Sequence, residues 1–188
     1  MKVKMLFLFV LAAQVALGQS TFRISTFTLT IKGTSNLHDW ESQAKEMRAS
    51  GAFTVDAGVL QAISSLSVDI PVKSIKSAKG SIMDNKTYSA LKANKYATIT
   101  FKLDKATVTR KGDRYDVSAS GQLSIAGVTN KVSLAVQGRT AADGTLSFNG
   151  SYKLKMTDYG IDPPTALLGT MTTGDEVEIV FKITLKPE

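Results

Sequence analysis

Ser35, His38 and Asp39 are the residue types of a hydrolytic triad: a serine to attack, an imidazole to take its proton and a carboxylate to orient the ring. They crowd into one loop-length stretch, and the chemistry requires three side chains to meet in space, a geometry that chain neighbours rarely reach. His38 is the single histidine and the chain has no cysteine. A metal centre built from imidazole or thiolate ligands therefore cannot be assembled, and no close cluster of carboxylates replaces it. The residues argue against an enzyme, and neither catalytic nor metal-binding residues are assigned. His38 beside Trp40 reads as part of a loop whose polar side chains satisfy backbone groups. The other reading is a pocket mouth, with Asn36 or His38 meeting a ligand head group and Trp40 packing on its chain.

The elements that would position such a mouth are strands. From Phe22 to Leu185 apolar and polar residues alternate over one strand-length run after another, so one face of each run meets a core and the other meets water. The first clear strand begins with Phe27, Leu29 and Ile31. Ala49 to Val55 and Leu60 to Val72 follow, the latter with Pro71 near its end marking an edge or strand terminus. Ser81 to Ala93 breaks the period and is the one helix predicted, with Ser81 or Asp84 as cap. Turns at Lys111-Gly112-Asp113, Ala126-Gly127-Val128-Thr129-Asn130 and Ala142-Asp143-Gly144 join further strands. The fold class is all-β: an antiparallel meander of about eight strands closed into a barrel, with one short helix. Eight such strands enclose a space that side chains fill or that holds one small ligand.

The alternation assigns an inward-facing, ligand-binding set strand by strand: Leu29 and Ile31; Phe53; Leu66, Val68 and Ile70; Phe101; Leu123; Leu134; Phe148 and Tyr152; Ile179 and Phe181. These suit an extended hydrocarbon, and they would equally serve to fill the barrel. Burying a few hundred Å2 of ligand at ~25 cal/mol per Å2 provides several kcal/mol before entropy losses. Thr157 to Asp175 is longer than a usual hairpin connection and carries Ile161, Leu167, Leu168 and Met171, so it should cover something apolar, as a plug or as a lid. The predicted mouth comprises Asn36, His38, Trp40, Leu167, Leu168 and Met171.

Residues 1–18 have a basic start, a short apolar run broken by Gln14 and small residues at the end, the pattern of a cleaved secretory signal peptide. The run is too short to span a bilayer, and no lipobox cysteine follows it. Residues 19–188 are then one domain, large enough to fold without disulfides, which suits a periplasmic or secreted location. The net charge is +7 and is concentrated between Lys73 and Arg114, where eleven basic residues face Asp84, Asp104 and Asp113. This segment reads as solvated, lysine-protected strand faces or as a surface for transient contact with anionic phospholipid. Sparse aromatics and the lack of a recognition motif argue against nucleic acid.

Three runs in order, Gly33-Thr34-Ser35-Asn36-Leu37-His38-Asp39-Trp40, then Met83-Asp84-Asn85 with Leu91 to Phe101, then Gly121-Gln122-Leu123-Ser124-Ile125-Ala126-Gly127-Val128-Thr129, resemble the YceI-like polyisoprenoid-binding family. The resemblance covers nearly all of residues 19–188. It implies an extended lipocalin-like barrel, exported to the periplasm, with an elongated apolar tunnel that in some members holds an isoprenoid chain such as a polyprenyl quinone. It implies no catalytic residues and no cofactor beyond a bound lipid. Ala97 stands where the family commonly has Pro, and residues 36–40 and 157–164 look like a subgroup variant; both bear on the ligand more than on the fold. The function expected is that of an exported, non-enzymatic protein that sequesters or carries a long-chain isoprenoid or similar lipid. The rival is an exported structural or stress-related barrel with a filled interior that acts through protein contacts.

Overall fold

The computed structural model describes residues 19–166 and 169–187. The predicted signal peptide and the predicted mouth residues Leu167 and Leu168 lie outside them. Eleven strands follow in order: β1 (Gln19–Ser35), β2 (Trp40–Ala44), β3 (Arg48–Asp56), β4 (Val59–Pro71), β5 (Ile75–Ser77), β6 (Thr98–Lys111), β7 (Arg114–Ile125), β8 (Val128–Thr140), β9 (Leu146–Lys155), β10 (Thr165–Ala166) and β11 (Met171–Pro187). One helix, α1 (Ser81–Ala90), lies between β5 and β6.

Eight strands form a closed antiparallel ring, β1-β3-β4-β6-β7-β8-β9-β11, sealed by pairing of β11 with β1. The fold is thus the expected lipocalin-like barrel in meander order. β2 and β3 are successive halves of one broken strand: β2 pairs with the end of β1 at residues 30–33, and β3 with its start at residues 19–21. β4 and β5 are broken in the same way, with β5 pairing to β2. Met47, Ala44 and Ile75 fill the space where the halves part.

Register shifts interrupt the pairing in three strand pairs. The β1–β11 register shifts between Ile24 and Thr26, so Phe22 and Ile24 point inward on one parity and Phe27, Leu29 and Ile31 on the other. Shifts also occur in the β3–β4 pair near Phe53 and Ile63, and in β6 between Leu103 and Lys105. The hairpin turns at Ala57-Gly58 and Ala126-Gly127 place both residues at positive φ, 47° and 78° in one and 50° and 88° in the other. This is the primed-turn geometry that suits twisted two-residue hairpins.

The helix is shorter than expected and is capped differently. Gly80 is the N-cap, and Ser81 is the first helical residue. Asp84 instead accepts the Ser77 N–H at 2.8 Å and pairs with Lys76 at 3.4 Å, fixing α1 to β5. A carboxylate in the first turn also lies toward the positive end of the helix.

The two ends of the barrel differ. One is a filled floor: Phe22, Phe53, Leu60, Tyr115, Val117, Leu146, Phe148 and Leu185 form one buried cluster. Phe53 stacks edge-on to Phe22 at 5.3 Å and lies 6.4 Å from Phe148. The Tyr115 hydroxyl accepts the Leu60 N–H at 3.1 Å and meets Thr140 Oγ1 at 3.1 Å, so the one polar atom of the floor is satisfied. The other end, beneath α1, is hollow.

Candidate functional site

A cavity of about 490 Å3 occupies the α1 end of the barrel, within the range of small-molecule sites. Its wall is built from the last inward-facing residues of the ring strands: Ile31, Ile99, Ile125, Leu154, Val177 and Ile179. Ile75 closes one side, Met83 and Ala90 come from α1 and Leu91 from its C-cap, and Met156, Ile161 and Pro164 come from the segment leading into β11, whose first residue Met171 joins them. The rim is polar, with Ser35, His38, Asp39 and Glu41 on the β1–β2 side and Lys79, Lys86 and Thr87 on the helix side.

Aromatic rings of the barrel lie flat against glycines of neighbouring strands. Phe181 faces Gly150, Phe148 faces Gly138 and Trp40 faces Gly33 in direct register, while Phe101 crosses diagonally to Gly121. A Cβ at Gly121 would come within 2.7 Å of the Phe101 ring and 2.3 Å of the Lys102 carbonyl oxygen, and one at Gly150 within 2.8 Å of Phe181. Glycine at these positions lets each ring rest on the backbone instead of standing into the lumen. Between floor and cavity, the inward-facing Phe101, Leu123, Leu134, Tyr152 and Phe181 are half-buried.

The loop before Trp40 is held by its own polar groups. Ser35 Oγ donates to the His38 carbonyl at 2.6 Å and accepts the Leu37 and His38 N–H groups at 3.3 and 3.1 Å. Its hydroxyl is thus engaged with backbone, as the loop reading expects. Asn36 binds the backbone across the mouth, donating to the Thr170 carbonyl at 2.8 Å and accepting the Thr172 N–H at 3.0 Å. Trp40 Nε1 donates to the Thr34 carbonyl at 3.0 Å. Among the described residues no group of three His, Asp or Glu side chains could hold a metal ion.

The segment expected as one long loop is divided by structure. Thr157–Tyr159 forms a 3-10 turn, β10 pairs with the start of β11, and β11 begins at Met171, inside the stretch expected as connection. Asp175 anchors the turn, accepting the Thr157 N–H at 2.9 Å and its hydroxyl at 2.7 Å; these bonds hold its carboxyl below the usual value. Tyr159 and Ile161 are buried under the turn. Burial, with Tyr152 nearby, pushes the Tyr159 phenol up to about 12. Two lysines of the helix region tie the segment down: Lys86 Nζ donates to the Thr165 carbonyl at 2.9 Å and Lys92 Nζ to the Gly160 carbonyl at 3.0 Å.

Of the predicted ligand-binding set, Ile31 and Ile179 line the cavity, as do the predicted mouth residues His38, Trp40 and Met171. Asn36 braces the rim by hydrogen bonds. Phe53, Phe148 and Leu66 belong to the floor, where bulk at three converging strand ends leaves no space. Leu29, Val68, Ile70 and Phe181 pack in the cluster behind β5. Leu123 and Tyr152 pack against the cluster under the 3-10 turn. Phe101 and Leu134 are half-buried on the wall between floor and cavity. Ile99, Ile125, Leu154 and Val177 were missed although each continues the period of an assigned strand by one or two inward positions; only knowing which end is open would have selected them.

The fold also divides the basic segment. Lys73, Lys76, Lys79, Lys86, Lys92 and Lys95 surround α1, whereas β6 and its hairpin with β7 carry Lys102 to Arg114 away toward the floor. The class is that of closed lipocalin-like barrels, here filled at one end and opening into an apolar cavity at the other. A YceI-like domain model matches residues 14–185, and the chain belongs to this family. Similar solved structures include BcnA of Burkholderia cenocepacia (20% identity, TM-score 0.65, covering 84% of this chain and 95% of that one). A polyisoprenoid binding domain from Saccharophagus degradans, implicated in plant cell wall breakdown, shares 14% identity (TM-score 0.63, covering 89% and 98%). The YCEI protein of Campylobacter jejuni shares 19% (TM-score 0.57, covering 99% of each chain). No curated protein sequence matches.

Proposed function

We propose that this protein is an exported, non-enzymatic carrier that sequesters one long-chain apolar lipid of polyisoprenoid or polyprenyl quinone type, with the chain in the barrel and the head group at the rim. The observation that carries this reading is the cavity of about 490 Å3 walled by aliphatic side chains. Transfer of a hydrocarbon chain from water to such a wall is the driving force. Membership of the YceI-like family and the polyisoprenoid binding domain among similar structures support the ligand class. His38 at the rim would meet the polar head group, and residues 157–166 would cover the apolar end as a lid. Export rests on the pattern of residues 1–18.

The test is native mass spectrometry of protein purified without detergent, followed by organic extraction of any bound lipid. One long-chain isoprenoid per chain is the expected result. A protein that carries none and takes up no added polyprenyl quinone would refute the carrier reading.

A further inference from the structure

Leu37 and Ile82 are the large apolar side chains left exposed among the described residues, 62% and 74% accessible. Both lie at the cavity end of the barrel. Leu37 sits at the tip of the tight loop between Ser35 and His38, two cavity-rim residues. Ile82 is in the first turn of α1, beside Met83 of the cavity wall, and borders the outer groove between the helix and residues 162–165. Scattered exposed apolar residues need no explanation, but these two flank one opening.

The charge on the helix side of this opening, around Ile82, is positive. Lys79 and Lys86 stand on the helix side of the rim, and Lys73, Lys92 and Lys95 border a polar groove on the far side of α1. Lys86 and Lys92 donate to neutral carbonyls, so these bonds leave their charge uncompensated. Lys76 is paired with Asp84. Asp39 and Glu41 on the opposite rim and Asp162 in the outer groove oppose the five unpaired lysines.

From this arrangement we infer that the α1 end docks on an anionic bilayer, Leu37 and Ile82 entering the interface while the helix-side lysines meet the head groups, so that the cavity opens toward the hydrocarbon. The inference rests on the carrier reading for its purpose, not for its geometry. Apolar anchors combined with basic residues are what bind a protein to the surface of an anionic membrane. The lysines toward the floor take no part, which narrows the contact expected for residues 73–114 to the part around the helix.

The experiment is co-sedimentation of the full chain with phosphatidylcholine vesicles, with and without phosphatidylglycerol. Binding should require phosphatidylglycerol and weaken as salt is raised. Leu37→Asp with Ile82→Asp should lower the vesicle partition constant at least about tenfold by removing both apolar anchors. Asp39→Asn should raise it, and Lys111→Glu, near the floor, should leave it unchanged. Absence of binding to phosphatidylglycerol vesicles, or binding that survives the Leu37/Ile82 pair, would overturn the inference. Uptake of a fluorescent geranylgeranyl probe dispersed from ethanol separates the two readings. If the double variant still takes up the probe yet leaves the vesicle, docking and carriage are both supported; vesicle binding by a wild-type chain that takes up no probe would sink carriage while docking stands.

Discussion

Replacing Ile179 by Trp tests whether the α1 end is hollow. Ile179 lies on β11 between Ile31 of β1 and Tyr152 of β9 and faces the cavity of about 490 Å3. An indole there denies a bound chain ~100 Å2 of wall, and at ~25 cal/mol per Å2 the loss is about 2.5 kcal/mol, roughly a seventyfold weaker affinity. Bulk forced into a filled core costs ~1–3 kcal/mol; bulk added to open space should change stability by less than about 1 kcal/mol. The control is Phe53→Ala in the floor. Phe53 is 2% exposed and contacts Phe22 and Phe148, so its loss should cost ~3–5 kcal/mol while uptake persists in the folded fraction. Urea unfolding gives the stabilities, and titration with a fluorescent prenyl analogue gives the affinities. Ile179→Trp as destabilising as Phe53→Ala, with uptake intact, would refute the division into hollow end and filled floor.

Three other substitutions probe the supports of that division. Gly121→Val sets a branched side chain against the Phe101 ring and the Lys102 carbonyl; overpacking should lower the urea midpoint by the equivalent of at least ~1–3 kcal/mol, and an unchanged midpoint would show that the ring does not rest there. Tyr115→Phe removes the acceptor for the Leu60 N–H and should cost ~1–3 kcal/mol, the penalty of a buried unsatisfied donor, measured by the same unfolding curves. Tyr159, pushed up to about 12 by burial, stays neutral in the fold while the unfolded phenol ionises from its ordinary value of 10.0. Its contribution is therefore complete below pH 10 and is lost as the pH rises through the folded value. Alkaline loss of stability should be shallower in Tyr159→Phe, and identical pH profiles for the two proteins would contradict the burial.

The alternation that signals strands survives translation into structure because a two-residue period needs no knowledge of partners. Its failures trace to bulges. The single extra residue near Ser25 moved the inward parity from Phe22 and Ile24 to Phe27 and Leu29, which hid the first third of β1 and placed its apparent start at Phe27. The same alternation could not separate lining from filling. Phe53 and Ile31 have equivalent patterns in sequence, yet one is wedged among aromatics at a converging end and the other borders open space. That difference depends on which strand ends lie together, a property of register across the ring. The rim was more legible: Asn36, His38, Trp40 and Met171 fall at the mouth because a polar loop and a long connection both had to sit at a barrel end. The lysine ties from α1 to residues 160–165 left no local trace, since each joins a side chain to a backbone carbonyl distant in sequence.

A barrel without disulfides that keeps one end open must draw its stability from the rest. The ring is sealed along most of the length of β1 and β11, and the aromatic floor fills its other end, so the elements that must hold are remote from the site. The mouth, by contrast, is held by hydrogen bonds at exposed positions: Lys86 to Thr165, Lys92 to Gly160, Asn36 to Thr170 and Thr172. Exposed bonds of this kind contribute about 1 kcal/mol each and open at low free energy. Their breakage would part α1 from residues 160–165 without disturbing the floor. The same lysines that latch this segment are basic groups of the proposed membrane face. Phosphate oxygens would compete for them with neutral carbonyls and form the stronger, charge-assisted bonds, so docking on an anionic surface would itself favour opening the mouth where a hydrocarbon chain can enter.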